Sequence, residues 1–259
     1  MPSLFVSHGA PTYALDPGLA GRQLGQLGQQ LERPRAIVIV SPHWMTQGVW
    51  IGASSRPKTI HDFGGFPRAL YCLQYQAPGA PQVASRIRQL LLAHSIPAQL
   101  DEDRGLDHGA WVPLLHLYPQ ADIPTLQVSM PFDSTEQTLY DFGRALAPLA
   151  NEGVLLMGSG SLTHNLSEVR MAEPNGRVEA YAEAFSFWVR QAVIDGDTNR
   201  LLQTFKKAPH ARRAHPTTEH FLPLLFAAGA AQGSYQAKVL DGGIRYGVLS
   251  MESYLFGRV

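Results

Sequence analysis

Two short, continuous apolar runs constrain the fold of this chain more than any other feature of its sequence. Residues 36–40 are rich in β-branched side chains, and residues 154–157 are apolar throughout. Runs of this length are typical of strands buried on both faces of a parallel sheet. Stretches with apolar residues at helical spacing, such as residues 81–94, alternate with the runs. The alternation predicts an α/β fold whose central, mostly parallel or mixed sheet is flanked by helices.

The same kinds of apolar pattern predict the remaining strands and helices. Strands are predicted at residues 4–7, 36–40, 48–52, 125–130 and 154–158, with a late strand within 248–256; helices are predicted at 18–31, 81–94, 136–150, 178–192 and 223–231. The strand at 48–52 is predicted at a sheet edge, and residues 206–213 are predicted to form a basic loop. Because Pro113 fits a first helical turn, His108 is expected in the loop ahead of a further helix. No repeat or linker divides the 259 residues, so we expect one domain.

Composition excludes several classes of function. Lysine plus arginine and aspartate plus glutamate number 21 each, so no charge excess indicates a nucleic-acid or membrane partner. The single cysteine, Cys72, forms no internal disulfide and is interpreted as a small apolar filler. The first residues lack the pattern of a signal peptide, and no apolar run approaches the roughly 18 residues of a membrane span. We therefore expect a soluble, cytoplasmic protein.

The ten histidines are the chemically distinctive residues of this chain. His8, His43 and His164 each lie at or just past the carboxyl end of a predicted strand, and these ends share one edge of an α/β sheet. His220 lies near a predicted helix start, where the helix dipole favours a neutral ring. Imidazole suits zinc, iron, copper and nickel. A metal site, a histidine acid/base site and an accidental grouping all remain open on this reasoning.

Common catalytic motifs are missing from the sequence. It contains no His-Glu-x-x-His helix, no P-loop, no Gly-x-Gly-x-x-Gly and no Gly-x-Ser-x-Gly elbow. Nucleotide binding and serine hydrolysis are therefore disfavoured.

Six collinear motifs resemble one known family. They are Ser7-His8-Gly9-Ala10-Pro11, Ser41-Pro42-His43-Trp44, Asp62-Phe63-Gly64-Gly65-Phe66-Pro67, Gly105-Leu106-Asp107-His108-Gly109-Ala110-Trp111-Val112-Pro113, Gly158-Ser159-Gly160-Ser161-Leu162-Thr163-His164-Asn165-Leu166 and Thr218-Glu219-His220-Phe221. Together they resemble the 4,5-DOPA extradiol dioxygenase family, which belongs to the class III ring-cleaving dioxygenases related to protocatechuate 4,5-dioxygenase. The resemblance spans nearly the whole chain. It implies one catalytic domain over residues 1–259, with its metal site at the carboxyl ends of strands.

The resemblance also implies a ligand set for a non-haem metal. His8 and His43 match ligand positions, and His220 matches the third. Class III enzymes generally use two histidines and one carboxylate, and Glu219 lies beside His220. Fe(II) is the metal expected for activity, whereas zinc occurs in some bacterial members and would suit three neutral ligands.

Further roles follow from the same resemblance. His164 matches the catalytic acid/base position and is an additional metal ligand candidate when substrate is absent. His108, oriented by Asp107, is expected to hydrogen-bond substrate or oxygen, and Asp107 is itself a candidate for substrate binding. Trp44 is a candidate wall for an aromatic ring, as is Phe66. His61 stands where the family has a tyrosine and is a further candidate contact with substrate.

The implied activity is insertion of both atoms of O2 into a catechol ring, which gives a ring-opened semialdehyde. The expected partners are a small aromatic diol, DOPA-like or otherwise, and O2. A zinc-dependent hydrolase and a non-catalytic member that binds metal or a small aromatic are the alternatives. Homo-oligomer formation, the regiochemistry of cleavage and the physiological catechol are left open by the sequence.

Overall fold

A sheet of eight strands forms the centre of the molecule, and the apolar runs lie in it. The structure is a computed structural model that describes residues 1–231 and 236–257. Its strands are β1 (Ser3–Ser7), β2 (Ala36–Thr46), β3 (Val49–Gly52), β4 (Ala98–Asp101), β5 (Thr125–Pro131), β6 (Val154–Gly160), β7 (Ala237–Leu240), β8 (Ile244–Arg245), β9 (Leu249–Ser250) and β10 (Ser253–Phe256). Strands β8 and β9 form a separate two-stranded ribbon.

The sheet is mixed, with a parallel centre. Its strand order is β4-β3-β5-β2-β6-β1-β10-β7. The pairs β5–β2, β2–β6 and β6–β1 are parallel, whereas β10 runs antiparallel to both β1 and β7. The carboxyl ends of β1, β2 and β6 therefore meet at one edge, as predicted for the site.

Helices cover both faces of the sheet. They are α1 (Gly18–Gln30), α2 (Arg68–Tyr71), α3 (Pro81–Ala93), α4 (His108–Leu117), α5 (Glu136–Leu146), α6 (Pro148–Asn151), α7 (Ala180–Ile194), α8 (Thr198–Leu201), α9 (Thr204–Lys207), α10 (Ala211–Ala214) and α11 (Leu222–Ala230), with 3-10 turns at Pro11–Ala14 and Leu166–Glu168. The predicted single-domain α/β fold is confirmed.

Alternate residues of each central strand enter two different cores. Val38 and Val40 of β2 pack with side chains of α3, α5, α7 and α11 on one face. Ile37 and Ile39 pack with side chains of α1 and α4 on the other face. Strands that are buried on both sides need apolar residues at every position, which explains the continuous run at residues 36–40.

The start of α4 differs from the prediction. The helix begins at His108 itself, and Pro113 lies inside it rather than in its first turn. Proline has no N–H, so the carbonyl of Gly109, four residues earlier, lacks its usual donor within the helix. That carbonyl instead accepts from the Ser159 hydroxyl of β6. A partner outside the helix makes the internal proline tolerable.

The extents of several strands also differ. β2 continues through His43, with a register shift against β5 between Val40 and Met45. The strand at 48–52 lies inside the sheet rather than at its edge, because the unpredicted β4 pairs with its outer side. Strand β4 was missed because it is short and only half-buried, so it shows no continuous apolar run.

Two helical predictions need correction as well. The predicted helix over 136–150 is split into α5 and α6 around Pro148. The predicted basic loop at 206–213 contains the end of α9 and the start of α10 instead. Both short helices carry two basic residues in their last turn, whose side chains are exposed, while Thr204, Ala211 and Ala214 are buried.

Among the helices of the described residues, none is both long and apolar enough to cross a membrane. The predicted cytoplasmic location stays a prediction.

Candidate metal centre

Three of the predicted histidines meet at the edge of the sheet. His8 directly follows β1, His43 lies on the irregular part of β2, and His220 precedes α11. The ring centroids of His8 and His43 are 5.0 Å apart, and that of His220 is 5.4 Å from His8 and 5.1 Å from His43. The convergence expected from strands β1 and β2 is present in the structure.

The other two predicted histidines border this trio. The ring centroid of His108 is 4.0 Å from that of His43. His164 stacks on His220 with centroids 3.5 Å apart and ring planes 9° apart. Two sets of candidate ligand atoms result, each with its atoms within 4.8 Å of one another. One set is His8, His43 and His108; the other is His164, Glu219 and His220.

A chain of hydrogen bonds fixes which nitrogen of His8 carries the proton. Its Nδ1 lies 3.0 Å from the Ser159 hydroxyl oxygen. That hydroxyl donates to the carbonyl of Gly109, so it accepts from His8. Nδ1 of His8 is therefore protonated, and its Nε2 presents a free lone pair.

Asp62 holds two further rings. Its carboxylate accepts from Nδ1 of His108 at 3.0 Å and from the His108 backbone N–H at 2.8 Å. The same carboxylate lies 3.5 Å from Nδ1 of His43. Burial raises the pKa of Asp62, but the hydrogen bonds from His108 outweigh it and bring that pKa to about 2. Asp62 is thus ionised and holds the proton on Nδ1 of His108, and its charge beside Nδ1 of His43 favours a proton there as well.

His220 is held by its neighbour and by a close backbone approach. Its Nδ1 lies 3.1 Å from a carboxylate oxygen of Glu219. Its carbonyl accepts from the Ser161 N–H at 2.9 Å. A Cβ on Gly160 would lie 2.2 Å from that carbonyl oxygen, so only glycine lets the two backbones approach. Gly160, beside Ser159, therefore serves the placement of His220.

The contact between His8 and His43 fits a cation. Their Nε2 atoms are 3.1 Å apart. The proton of His8 is on Nδ1, and the Asp62 carboxylate beside Nδ1 of His43 favours the same tautomer there, which leaves two Nε2 lone pairs facing each other. Nitrogens bound to one metal at about 2.1 Å lie roughly 3.0–3.4 Å apart, so a shared metal ion turns this repulsive contact into two bonds. The donor set suits zinc or iron.

Burial keeps the rings neutral. It lowers the pKa of His8 and of His220 well below the usual 6.5, and repulsion from the surrounding rings adds to the effect. The pKa of His43 falls to about 3 and that of His164 to about 4, again chiefly through burial. Neutral imidazole is the form that binds metal or accepts a proton, so the cluster is ready for both at neutral pH.

Asp107 does not have its predicted place. Its side chain is 0% exposed, and its oxygens accept from Ser41, Arg104 and Gln127. The carboxylate that orients His108 is Asp62. Asp107 is enclosed by these three partners, and its predicted contact with substrate stays a prediction.

The remaining candidates lie at the margin of the cluster. Trp44 is buried beneath the guanidinium of Arg104, which lies 4.6 Å from the centre of its ring. Nε2 of His61 lies 3.0 Å from the Leu73 carbonyl, so its polar edge faces its own loop. Phe63 is the aromatic residue against the site, with its ring centroid 5.7 Å from that of His108.

Two contributing residues escaped the sequence-based reasoning. Asp62 was noted only as part of a motif, and Ser159 only as part of a small-residue turn. A carboxylate in a long aromatic loop was the available signal for Asp62. No signal marked Ser159, because its role depends on the unsatisfied carbonyl that Pro113 leaves in α4.

The matching family model and two named relatives of this chain share one chemistry in their names. The family model "Catalytic LigB subunit of aromatic ring-opening dioxygenase" matches residues 4–257. A protein named 4,5-DOPA dioxygenase extradiol from Escherichia coli (strain K12) is 40% identical over 260 residues, covering 99% of this chain and 95% of that protein. One of the same name from Beta vulgaris is 38% identical, covering 98% and 96%. The crystal structure of an uncharacterized protein from Escherichia coli K12 matches with a TM-score of 0.82 at 34% identity, covering 99% of this chain and all of that one.

Proposed function

The chain belongs to the family of the catalytic LigB subunit of aromatic ring-opening dioxygenases and is an extradiol dioxygenase with a metal cofactor, and we propose that residues 1–259 form one catalytic domain acting on a small catechol with Fe(II). In this proposal His8, His43 and His220 hold the metal. His164 is the acid/base group, and it is a fourth ligand when substrate is absent.

The opposed Nε2 lone pairs of His8 and His43 are the observation that carries the proposal. When bound, the metal would supply a Lewis-acid centre that brings the diol and O2 together. Glu219 supports His220 through Nδ1, which leaves that ring's Nε2 as the ligand atom and makes Glu219 a supporting residue rather than a ligand.

His164 suits proton transfer. Burial lowers its pKa to about 4, so at pH 7 the ring is neutral and able to accept the proton that a catechol loses. The side chain is half-buried rather than enclosed, so part of it remains exposed to solvent. The proton would return to the ring-opened product in the later step.

His108 has a complementary role in the proposal. Its Nδ1–H donates to Asp62, which leaves Nε2 as the ring nitrogen available to substrate. We propose that this nitrogen accepts a hydrogen bond from a substrate hydroxyl, with Phe63 lining the same side.

A catechol with an amino-acid-like or similar small side chain is the proposed substrate class. Relatives from Escherichia coli and Beta vulgaris are both named 4,5-DOPA dioxygenase extradiol, which supports a DOPA-like diol. The product would be the semialdehyde in which both atoms of O2 are incorporated.

An oxygen electrode tests the proposal. Protein loaded anaerobically with Fe(II) and mixed with DOPA or simple catechols is expected to consume one O2 per diol and form a yellow product. Absence of O2 uptake with every catechol of the panel would contradict it. Turnover of an ester or amide by zinc-loaded protein without O2 would favour the hydrolase alternative instead.

The His164→Ala variant tests the assigned base. Its metal stoichiometry is expected to stay at the wild-type value while the rate of ring cleavage falls by about 10²–10⁴-fold. The exposed His94 offers the matched control, and His94→Ala is expected to retain full activity.

A further inference from the structure

One buried histidine has no part in the proposed chemistry. His215 directly follows α10, and its side chain is 0% exposed. Three phenyl rings surround it, those of Phe185, Phe205 and Phe221, with centroids 5.5, 6.0 and 5.5 Å from its own. It lies two residues past the predicted basic loop at 206–213, yet its side chain is in the apolar interior.

The protonation of His215 follows from its single polar contact. Its Nε2 lies 2.9 Å from the carbonyl oxygen of Leu162, which can only accept. Nε2 is therefore the protonated nitrogen, and Nδ1 is left buried with no hydrogen-bond partner among the described residues. A buried unpaired acceptor costs about 1–3 kcal/mol. An apolar residue would fill the space without that cost, so the value of this ring lies in its Nε2–H.

The bond from His215 restrains the turn that carries His164. Leu162 lies two residues before His164, whose own N–H donates to the Ala214 carbonyl at 2.8 Å. The Asn165 side chain donates to the carbonyl of Arg213 at 2.8 Å. Residues 213–215 thus hold residues 162–165 through three hydrogen bonds. That backbone sets the position from which His164 stacks on the ring of His220.

We propose that His215 is a positioning residue for the catalytic base: its Nε2–H fixes the Leu162 carbonyl and thereby the place of His164 over the metal centre. The inference rests on the proposed role of His164. It extends the set of residues needed for ring cleavage to a side chain that touches neither metal nor substrate.

A matched pair of variants separates this role from packing. In His215→Gln the amide nitrogen can reach the place of Nε2 and still donate, whereas His215→Met has similar length and no donor. A misplacement of about 1 Å can cost about 10²-fold in rate. We expect kcat of His215→Met to fall by about 10–100-fold with KM unchanged, and His215→Gln to recover most of it.

A second readout keeps metal binding separate from activity. With a catechol bound in the absence of O2, the Co(II)-loaded forms of both variants are expected to show wild-type stoichiometry and a wild-type visible spectrum, because His8, His43 and His220 are untouched. Wild-type kcat in His215→Met, or an equal fall in kcat for both variants, would overturn the inference.

His164→Ala separates the two hypotheses. An inactive His164→Ala beside a fully active His215→Met overturns the positioning role alone, while an active His164→Ala overturns the proposed base and this inference with it. Should neither His215 variant fold, nitrogen NMR of the wild-type ring decides the matter. A protonated Nε2 with slow hydrogen exchange is expected, and a proton on Nδ1 would refute the proposal.

Discussion

At the scale of single residues, the centre depends on where each imidazole carries its proton. Ser159, Asp62 and Glu219 each occupy an Nδ1 atom, and together they serve four rings. The Nε2 atoms of His8 and His43 then lie 3.1 Å apart. Partners of this kind fix the orientation of a ligand ring and raise its basicity.

Replacement of Asp62 by asparagine tests this dependence. The amide carries no charge and offers only one acceptor oxygen, so His43 and His108 lose a shared anionic partner. We expect metal affinity to fall by about 10–100-fold in Asp62→Asn, measured by competition with a chromophoric chelator. Asp133→Asn, at an exposed site, is the control and should bind as the wild type does. Equal affinity in the two variants would rule out the supporting role of Asp62.

Sequence reasoning reached the ligand-type residues but not their supports. His8, His43, His108, His164 and His220 were all chosen, and all five lie in one cluster. Asp107 was preferred to Asp62 because it neighbours His108 in the chain. Asp62 and His108 are 46 positions apart, and their contact depends on how the long loop that carries Asp62 folds back. Sequence spacing does not predict such a contact.

At the scale of elements, the internal proline of α4 connects helix geometry to ligand chemistry. Pro113 leaves the Gly109 carbonyl free, Ser159 donates to it, and His8 donates to Ser159. An irregularity in one helix thereby selects the protonation of a ring on the neighbouring strand.

Pro113→Ala is expected to separate stability from metal binding. The new N–H can donate to Gly109 and compete with Ser159, so metal affinity should fall several-fold. The free energy of unfolding should not fall, because alanine restores the helical N–H and removes the clash of the proline ring with the Gly109 carbonyl. Urea unfolding and a metal titration measure the two quantities. Ser159→Ala should weaken metal binding further, and adding Pro113→Ala to it should change little, as for residues in one network.

Gly160→Ala tests the close approach of β6 to the segment before α11. The added methyl group would lie 2.2 Å from the His220 carbonyl oxygen, so the backbones must separate. We expect the free energy of unfolding to fall by about 1–3 kcal/mol and metal affinity to fall with it. Gly64→Ala is the control, because a Cβ there has nothing within 4 Å. Thermal unfolding that is equal in both variants would contradict the expectation.

Elements with strong apolar periodicity were predictable. Elements whose position depends on contacts with other parts of the chain were not. β1, α1, α3 and β6 lie where their patterns put them. The start of α4 was misplaced because the rule about proline assumes that the freed carbonyl finds no other donor. β4 and β7 carry only half-buried patterns and owe their place to a neighbouring strand.

At the scale of the whole molecule, burying neutral histidines makes the metal-free protein sensitive to acid. The pKa of His215 is about 4 in the folded protein, against 6.5 for a free ring. Between these values the unfolded chain binds a proton that the folded chain does not, so the free energy of unfolding falls as pH drops from 6.5 towards 4. Above pH 6.5 the full stability is retained.

Urea unfolding of metal-free protein between pH 7 and pH 5 checks this. Each histidine with a lowered pKa reduces the free energy of unfolding by up to about 1.4 kcal/mol per pH unit of acidification. His43 and His164 act in the same direction as His215. His215→Gln should therefore flatten the slope, whereas His94→Gln, at an exposed site, should leave it unchanged. A slope that is identical in all three proteins would contradict the assignment.

The fold class was within reach of the sequence because a parallel sheet buried on both sides leaves a distinct apolar pattern. The pairing of β10 with β1 was not predictable, because the residue pattern of a strand does not indicate which strand it pairs with. Long-range pairing is chosen by the assembled core rather than by local preference.

That pairing has a consequence for the order of events during synthesis. β1, which ends at the metal centre, is flanked by β10, and the Ser7 N–H donates to Ser253 while its hydroxyl donates to the Glu252 carbonyl. About 250 residues separate the two strands, so at roughly 5–20 residues per second β1 waits roughly 12–50 s for its neighbour. His8 is therefore among the first ligands to be made and among the last to be fixed. The metal has a finished site to enter only after translation has passed β10.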